Sequence, residues 1–135
     1  MKLLEPGEVL DGFRIEACIH SGGMAHIYRV VYADGRPGPG FDMAMKVPRM
    51  TAGDGAENIV SFEVECQIMQ ALSGPHTPRF VAAGDLVHVP YLVMDHVDGL
   101  PITRHADVRA LDVTARLRLL CEVCRAVEAA HRQLV

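Results

Sequence analysis

The chain has 135 residues, half of them hydrophobic, which suits one packed domain or part of one and excludes a disordered segment. A formal net charge of -4 with no basic run excludes the footprint of a nucleic-acid binder. Only two lysines occur, Lys2 and Lys46, so a lysine inside the chain is worth following. The opening MKLLEPGEVL is too short in apolar residues for a signal peptide, and no run approaches the roughly 18 a membrane helix needs. The expectation is a soluble, cytoplasmic segment, with a membrane anchor beyond residue 135 left open. Cys18, Cys66, Cys121 and Cys124 are too few and too scattered for a disulfide framework. Cys121 and Cys124 form a C-x-x-C without a second pair, so the preferred reading is two small buried residues on one helix face.

FRIEACIH, from Phe13 to His20, alternates: Phe13, Ile15, Ala17 and Ile19 face one way, Arg14 and Glu16 the other. That pattern predicts a half-buried strand. Ser21-Gly22-Gly23 breaks it, and HIYRVVYA, β-branched and aromatic, predicts a second strand directly after. DGRPGPG, Asp34 to Gly40, is a loop by composition. FDMAMKVP is a third strand stopped by Pro48, and MTAGDGAE is a loop. From about Asn58 to Leu72 the apolar residues Ile59, Phe62, Cys66 and Met69 recur at helical spacing, with Asn58 as the expected cap. Gly74-Pro75 ends that helix. RFVAAGDL and VPYLVMDHV predict two more strands joined by a short turn, and Val97-Asp98-Gly99 leaves the sheet.

The remainder reads as helical. LPITRHADVRAL holds a short helix, and Asp112 caps a long one from Val113 to about Leu134. The long helix has an apolar face of Leu117, Leu120, Cys121, Cys124, Val127 and Leu134. The fold class expected is α+β: a five-stranded antiparallel sheet with one packed helix over residues 1–99, then a helical part over residues 100–135.

The glycine turn at residues 21–25 invites a phosphate reading, because glycines let backbone N–H groups approach an anion closely. A dinucleotide fingerprint requires a helix after the glycines, and here a strand follows. A Walker A loop requires G-x-x-x-x-G-K-[ST], and no lysine sits there. What remains is a flap across a hairpin. Lys46 on the next strand supplies a cation beneath it, and Glu65, one turn from both Phe62 and Met69, sits beside the apolar face of the helix. Singly, Lys46 reads as an edge-strand solubility residue and Glu65 as a solvated charge. The three in this order argue for more.

In that order the chain resembles the N-terminal lobe of a bacterial Hanks-type serine/threonine protein kinase. IHSGGMAHIY resembles the family's L-G-x-G-G-M-G-x-V-Y, and MAMK stands where V-A-I-K stands. FEVE, Phe62 to Glu65, resembles the start of the C-helix; PYLVMDHVDG resembles the hinge strand; RLRLLCEVCRAVEAAHRQLV resembles the helix leading to the catalytic loop. The resemblance implies ATP as ligand, with Lys46 on its α- and β-phosphates and paired with Glu65. It implies that backbone N–H groups of Ser21, Gly22, Gly23, Met24 and Ala25 cover the phosphates, with Ile19 and His20 also among the nucleotide-binding residues. Ile27 and Ala44 would sandwich the adenine, Asp95 and Val97 would bond its edge, and Met94 would gate the back of the pocket. Two positions depart from the pattern: His20 stands at the first glycine and Ala25 at the third. Histidine restricts the tight turn and close approach that glycine permits. His20 and His26 flank the turn and read as solvated rather than metal-binding.

Neither H-R-D-x-x-x-x-N nor D-F-G occurs in the sequence, so the ligands for Mg2+ would lie beyond residue 135. HRQ at His131 is no substitute, since Gln133 cannot act as a base and the segment continues the helix pattern. The expectation is therefore the ATP-binding part of a kinase that phosphorylates proteins, inactive alone. The alternatives are a degenerate nucleotide- or protein-binding module without catalysis, and a lobe whose sheet only mediates dimerisation. The apolar helix face predicts self-association or a protein partner, unless that helix folds back on the sheet.

Overall fold

A computed structural model describes residues 3–50, 55–85 and 88–135. In chain order it contains β1 (Val9–Leu10), β2 (Phe13–Ser21), β3 (Ala25–Tyr32), β4 (Met43–Pro48), α1 (Gly55–Ala71), β5 (Phe80–Ala83), β6 (Leu92–Asp95), α2 (Ile102–Val108) and α3 (Val113–Leu134). The strands form one antiparallel sheet in the order β1-β2-β3-β4-β6-β5. The last hairpin folds so that β6, not β5, lies beside β4.

The sheet has six strands rather than the five expected. The extra one is β1, which pairs Val9 with Arg14 and Leu10 with Phe13. Asp11 and Gly12 between them have φ of 48° and 84°, the left-handed pair that closes a two-residue hairpin.

Alternation along β4 sets the two faces of the sheet, because successive side chains of a strand point oppositely. Met43, Met45 and Val47 join Tyr28, Val30, Phe13, Ile15, Tyr91 and Val93 in the main core. Ala44 and Lys46 face the other way. On that second face α1 lays Phe62 and Cys66, one turn apart, against Leu92, with Met69, Phe80 and Met94 around them. Gly84 bonds Tyr91 O at 2.8 Å through its N–H, and a Cβ there would stand 2.3 Å from the Tyr91 ring. Only glycine allows that approach. Burial and a hydrogen bond to Asp11 push the Tyr91 hydroxyl up to about 12.

Two local expectations are corrected. β2 does not alternate throughout, because its register against β3 shifts between Ile15 and Ala17 and again between Cys18 and His20. Each bulge inserts a residue and ends the period of two. Phe13 and Ile15 are buried, whereas Ile19 is exposed. Helix α1 begins at Gly55, so Asn58 lies in its first turn and is not its cap. The expected loop of residues 50–57 gives up Gly55–Glu57 to the helix, where Glu57 suits the positive N-terminal end. Residues 51–54 of that loop, and Leu86 at the end of the fourth expected strand, lie outside the described residues.

Helix α2 ends in a double turn: the Ala110 N–H bonds Asp107 O and the Leu111 N–H bonds Ala106 O, both at 3.0 Å. Ala110 holds the left-handed position at φ 48°. Asp112 caps α3, accepting from the Ala115 N–H at 2.8 Å. The far end of α3 is tied to the end of α1 by Gln133, which accepts from the Ser73 N–H at 2.7 Å and donates to Ser73 O at 2.9 Å. No residue of α3 is buried. The expectation that Cys121 and Cys124 are buried fails: both are exposed, because no described element covers that face. Among the described residues no helix is long and apolar enough to cross a membrane.

Candidate functional site

Lys46 stands on β4 between Ile27 of β3 and Leu92 of β6, on the face that α1 covers. Its Nζ donates to both Glu65 oxygens, Oε1 at 2.6 Å and Oε2 at 2.9 Å. Glu65 reaches it because it directly precedes the buried Cys66 on α1, so packing of that helix aims the carboxylate at the sheet. The two side chains are 26% and 37% exposed, so the pair is partly wet. Solvent screening makes it a weak source of stability and a good means of holding an ammonium in place. Above the pair, Met24 and Ala25 from the glycine turn close a cavity of about 100 Å³ with Phe62, Ser61 and Asn58.

The turn itself is built on the Gly22 N–H, which bonds Ala25 O at 3.0 Å. Met24 is exposed and Ala25 buried. The His20 ring folds over the turn, since a Cβ on Gly22 would lie 3.0 Å from His20 Nε2. A glycine at residue 22 is thus what lets the imidazole sit there.

Beside the turn lies an open cleft of about 370 Å³. Ile19 and His20 enter it from β2, Ile27 from β3 and Ala44 from β4. Its far edge is Met94, Asp95 and Val97. The second bulge in β2 brings both Ile19 and His20 opposite Ile27. The Asp95 N–H bonds Arg79 O at 2.9 Å and the His96 N–H bonds Asp42 O at 2.8 Å. The Asp95 carboxylate accepts from Arg79 Nε at 2.9 Å, and that guanidinium lies 3.8 Å from the centre of the Phe41 ring. The edge of the cleft is therefore held by side chains on its outer side.

The structure thus brings Lys46, Glu65, Ala25 and Met24 around one small cavity, and Ile19, His20, Ile27, Ala44, Met94, Asp95 and Val97 around the adjoining cleft. Ser21, Gly22 and Gly23 line neither. The expectation that His26 is solvated is overturned: it is only 7% exposed. It shares the core face of β3 with Tyr28 and Val30, two and four residues on.

No protein-family model matches the sequence. Solved structures do match. The crystal structure of the Mycobacterium tuberculosis PknI kinase domain aligns with 97% of this chain at 25% identity and a TM-score of 0.75, and 52% of that domain is covered. A further structure of the same domain gives 27% identity and a TM-score of 0.73 over 97% of this chain and 52% of its own. The chain has the fold of a bacterial Hanks-type kinase N-lobe followed by the first C-lobe helices. The apo form of PpkA-294 shares that fold alone, at 17% identity and a TM-score of 0.61 over 78% of this chain and 42% of its own. The chain spans about half the length of the kinase domains it matches.

The lobe includes residues that short-range sequence signals did not single out. Pro78, His96 and Gly99 also line the cleft. His96 and Gly99 adjoin expected positions, but Pro78 arrives from the loop before β5, which no local spacing relates to the glycine turn. Arg49, three residues after Lys46, lies against His26 and Ser21.

Proposed function

We propose that this chain is the nucleotide-binding half of a serine/threonine protein kinase, and that it binds ATP in the cleft between β2, β3, β4 and the segment after β6. The observation that carries this reading is the bidentate Lys46–Glu65 pair beneath a glycine turn, beside an apolar-floored cleft. Ile27 and Ala44 would face the two sides of the adenine. Because the Asp95 N–H is spent on Arg79, the Asp95 carbonyl and Val97 backbone are the groups for its edge. Lys46 would hold the α- and β-phosphates, and Glu65 would keep the ammonium aimed at them. The residues present fit ATP; ATP supplies the phosphoryl group, and transfer depends on positioning and charge neutralisation. The sequence has no H-R-D or D-F-G segment, so metal ligation and the base for a protein hydroxyl are assigned to no residue of this chain.

Titration with a fluorescent ATP analogue tests the reading. Saturable binding at sub-millimolar concentration, lost in Lys46→Ala, is expected. No lysine-dependent binding up to millimolar analogue would sink it.

A second reading, a nucleotide- or protein-binding module without catalysis, is favoured by His20. It stands where the family has its first glycine, and its ring lies over Gly22. His20→Gly should tighten analogue binding if the ring obstructs the turn. Phosphoryl transfer to protein serine or threonine by the full gene product, abolished in Lys46→Ala, would decide for the kinase.

A further inference from the structure

The glycine turn is attached to the lobe from behind, on the face away from Lys46. The His26 imidazole bonds on both ring nitrogens: Nδ1 lies 2.9 Å from Ser21 Oγ, and Nε2 accepts from Arg49 Nε–H at 3.2 Å. An Nε2 that accepts leaves the proton on Nδ1, which then donates to the Ser21 hydroxyl. Arg49 closes the triangle by donating from Nη2 to Ser21 Oγ at 3.2 Å. Its backbone N–H also bonds Met24 O at 2.8 Å, inside the turn. Both stems of the turn and its tip are thereby joined to the residue that follows β4.

We propose that Arg49 and His26 are positioning residues that clamp the glycine turn at a fixed height above Lys46. The inference rests on the nucleotide reading for its purpose but not for its existence. A flap of two glycines and an exposed Met24 has little packing of its own. Glycine-rich backbone gains the most conformational entropy when released. Three side-chain hydrogen bonds on its far face oppose that freedom without occupying the side a ligand would approach. The imidazole suits the place because, when neutral, it is at once donor and acceptor. A leucine of similar bulk is neither, whereas a glutamine amide offers both groups at similar reach.

Amide hydrogen exchange of the whole chain without nucleotide reads the clamp directly. The Gly22 amide and the amide of residue 49 should be protected in the wild type. Protection should fall about tenfold in Arg49→Met and His26→Leu, since each loses the net value of one or two hydrogen bonds. His26→Gln should keep wild-type protection. Ser21→Ala, an exposed change that cannot unfold the sheet, should show a smaller loss. Amides of β4 report whether each variant is folded. Unchanged protection in Arg49→Met and Ser21→Ala, or a His26→Gln loss equal to that of His26→Leu, would overturn the clamp. Binding of the fluorescent ATP analogue then reads its purpose: it should weaken in Arg49→Met and recover in His26→Gln. Exchange that follows the clamp with no lysine-dependent binding in any variant would count against the nucleotide reading alone.

Discussion

The sheet with α1 and the helical segment that follows are stabilised in different ways. In the first, tertiary burial does the work: Leu92, Met45 and Val93 are wholly buried between β4, β6 and their neighbours. In the second, α3 has a cap, an Arg132–Glu128 pair at 2.7 Å and a tether through Gln133, yet buries no residue. Its apolar stripe is nonetheless as clear in the sequence as that of any packed helix. Amphipathic spacing therefore shows which face a helix offers, and only the rest of the fold shows whether anything receives it.

The sharpest way to break that contrast is to truncate one leucine in each region. Leu92→Ala removes a side chain with 0% exposure and should cost about 2–5 kcal/mol in urea unfolding. Leu120→Ala, at 56% exposure, should stay within about 0.5 kcal/mol when measured at concentrations low enough to keep the chain monomeric. Equal costs would mean that α3 is packed in solution. A smaller, opposite effect is expected at the end of α2. Ala110 occupies a left-handed position that glycine adopts without strain, so Ala110→Gly should stabilise the α2–α3 segment by about 1 kcal/mol, measured by amide exchange there.

Acid should act on the sheet region through His26. Burial, then the Arg49 charge, lower the pKa of His26 below 6.5, while Tyr28 on the same strand stays neutral in this range. A histidine with a depressed folded value stabilises the fold fully above its unfolded value near 6.5. That contribution is lost as pH falls through the folded value. Unfolding free energy should therefore decline below pH 6.5, and His26→Gln should flatten this part of the decline. A decline of the same size in His26→Gln would assign it to other groups.

The exposed stripe on α3 should show in solution as association, which at high concentration also raises apparent stability. We propose that the 135-residue chain self-associates through Leu117, Leu120 and Val127. Light scattering should give a mass above one chain that falls with concentration, and Leu117→Glu with Leu120→Glu should restore the monomer. A monomeric wild type at high concentration would refute this.

Much of the fold was legible because it rests on short periods. The strand at Met43–Pro48, the spacing of Phe62, Cys66 and Met69, and the cap at Asp112 each lie within one or two turns of chain. β1 was missed although Asp11-Gly12 is a strong hairpin signal, since a two-residue strand has no periodicity to show. The bulges in β2 were missed because a bulge exists only relative to a partner strand. His26 was misjudged by treating it as part of the turn. Counting by twos from Val30 through Tyr28 places it on the buried face.

The sequence by itself determined the kinds and order of the elements, and it put a glycine turn, a strand lysine and a helix glutamate in a recognisable succession. Local backbone preference and side-chain period are properties of neighbouring residues, so one dimension suffices to read them. Only the tertiary structure decided that β6 inserts beside β4 and that Lys46 meets both oxygens of Glu65, 19 residues away. The same holds for Arg49, which reaches back 28 residues to Ser21, and for the uncovered face of α3. These depend on which surfaces arrive opposite one another after the chain has closed, and on how much water they exclude.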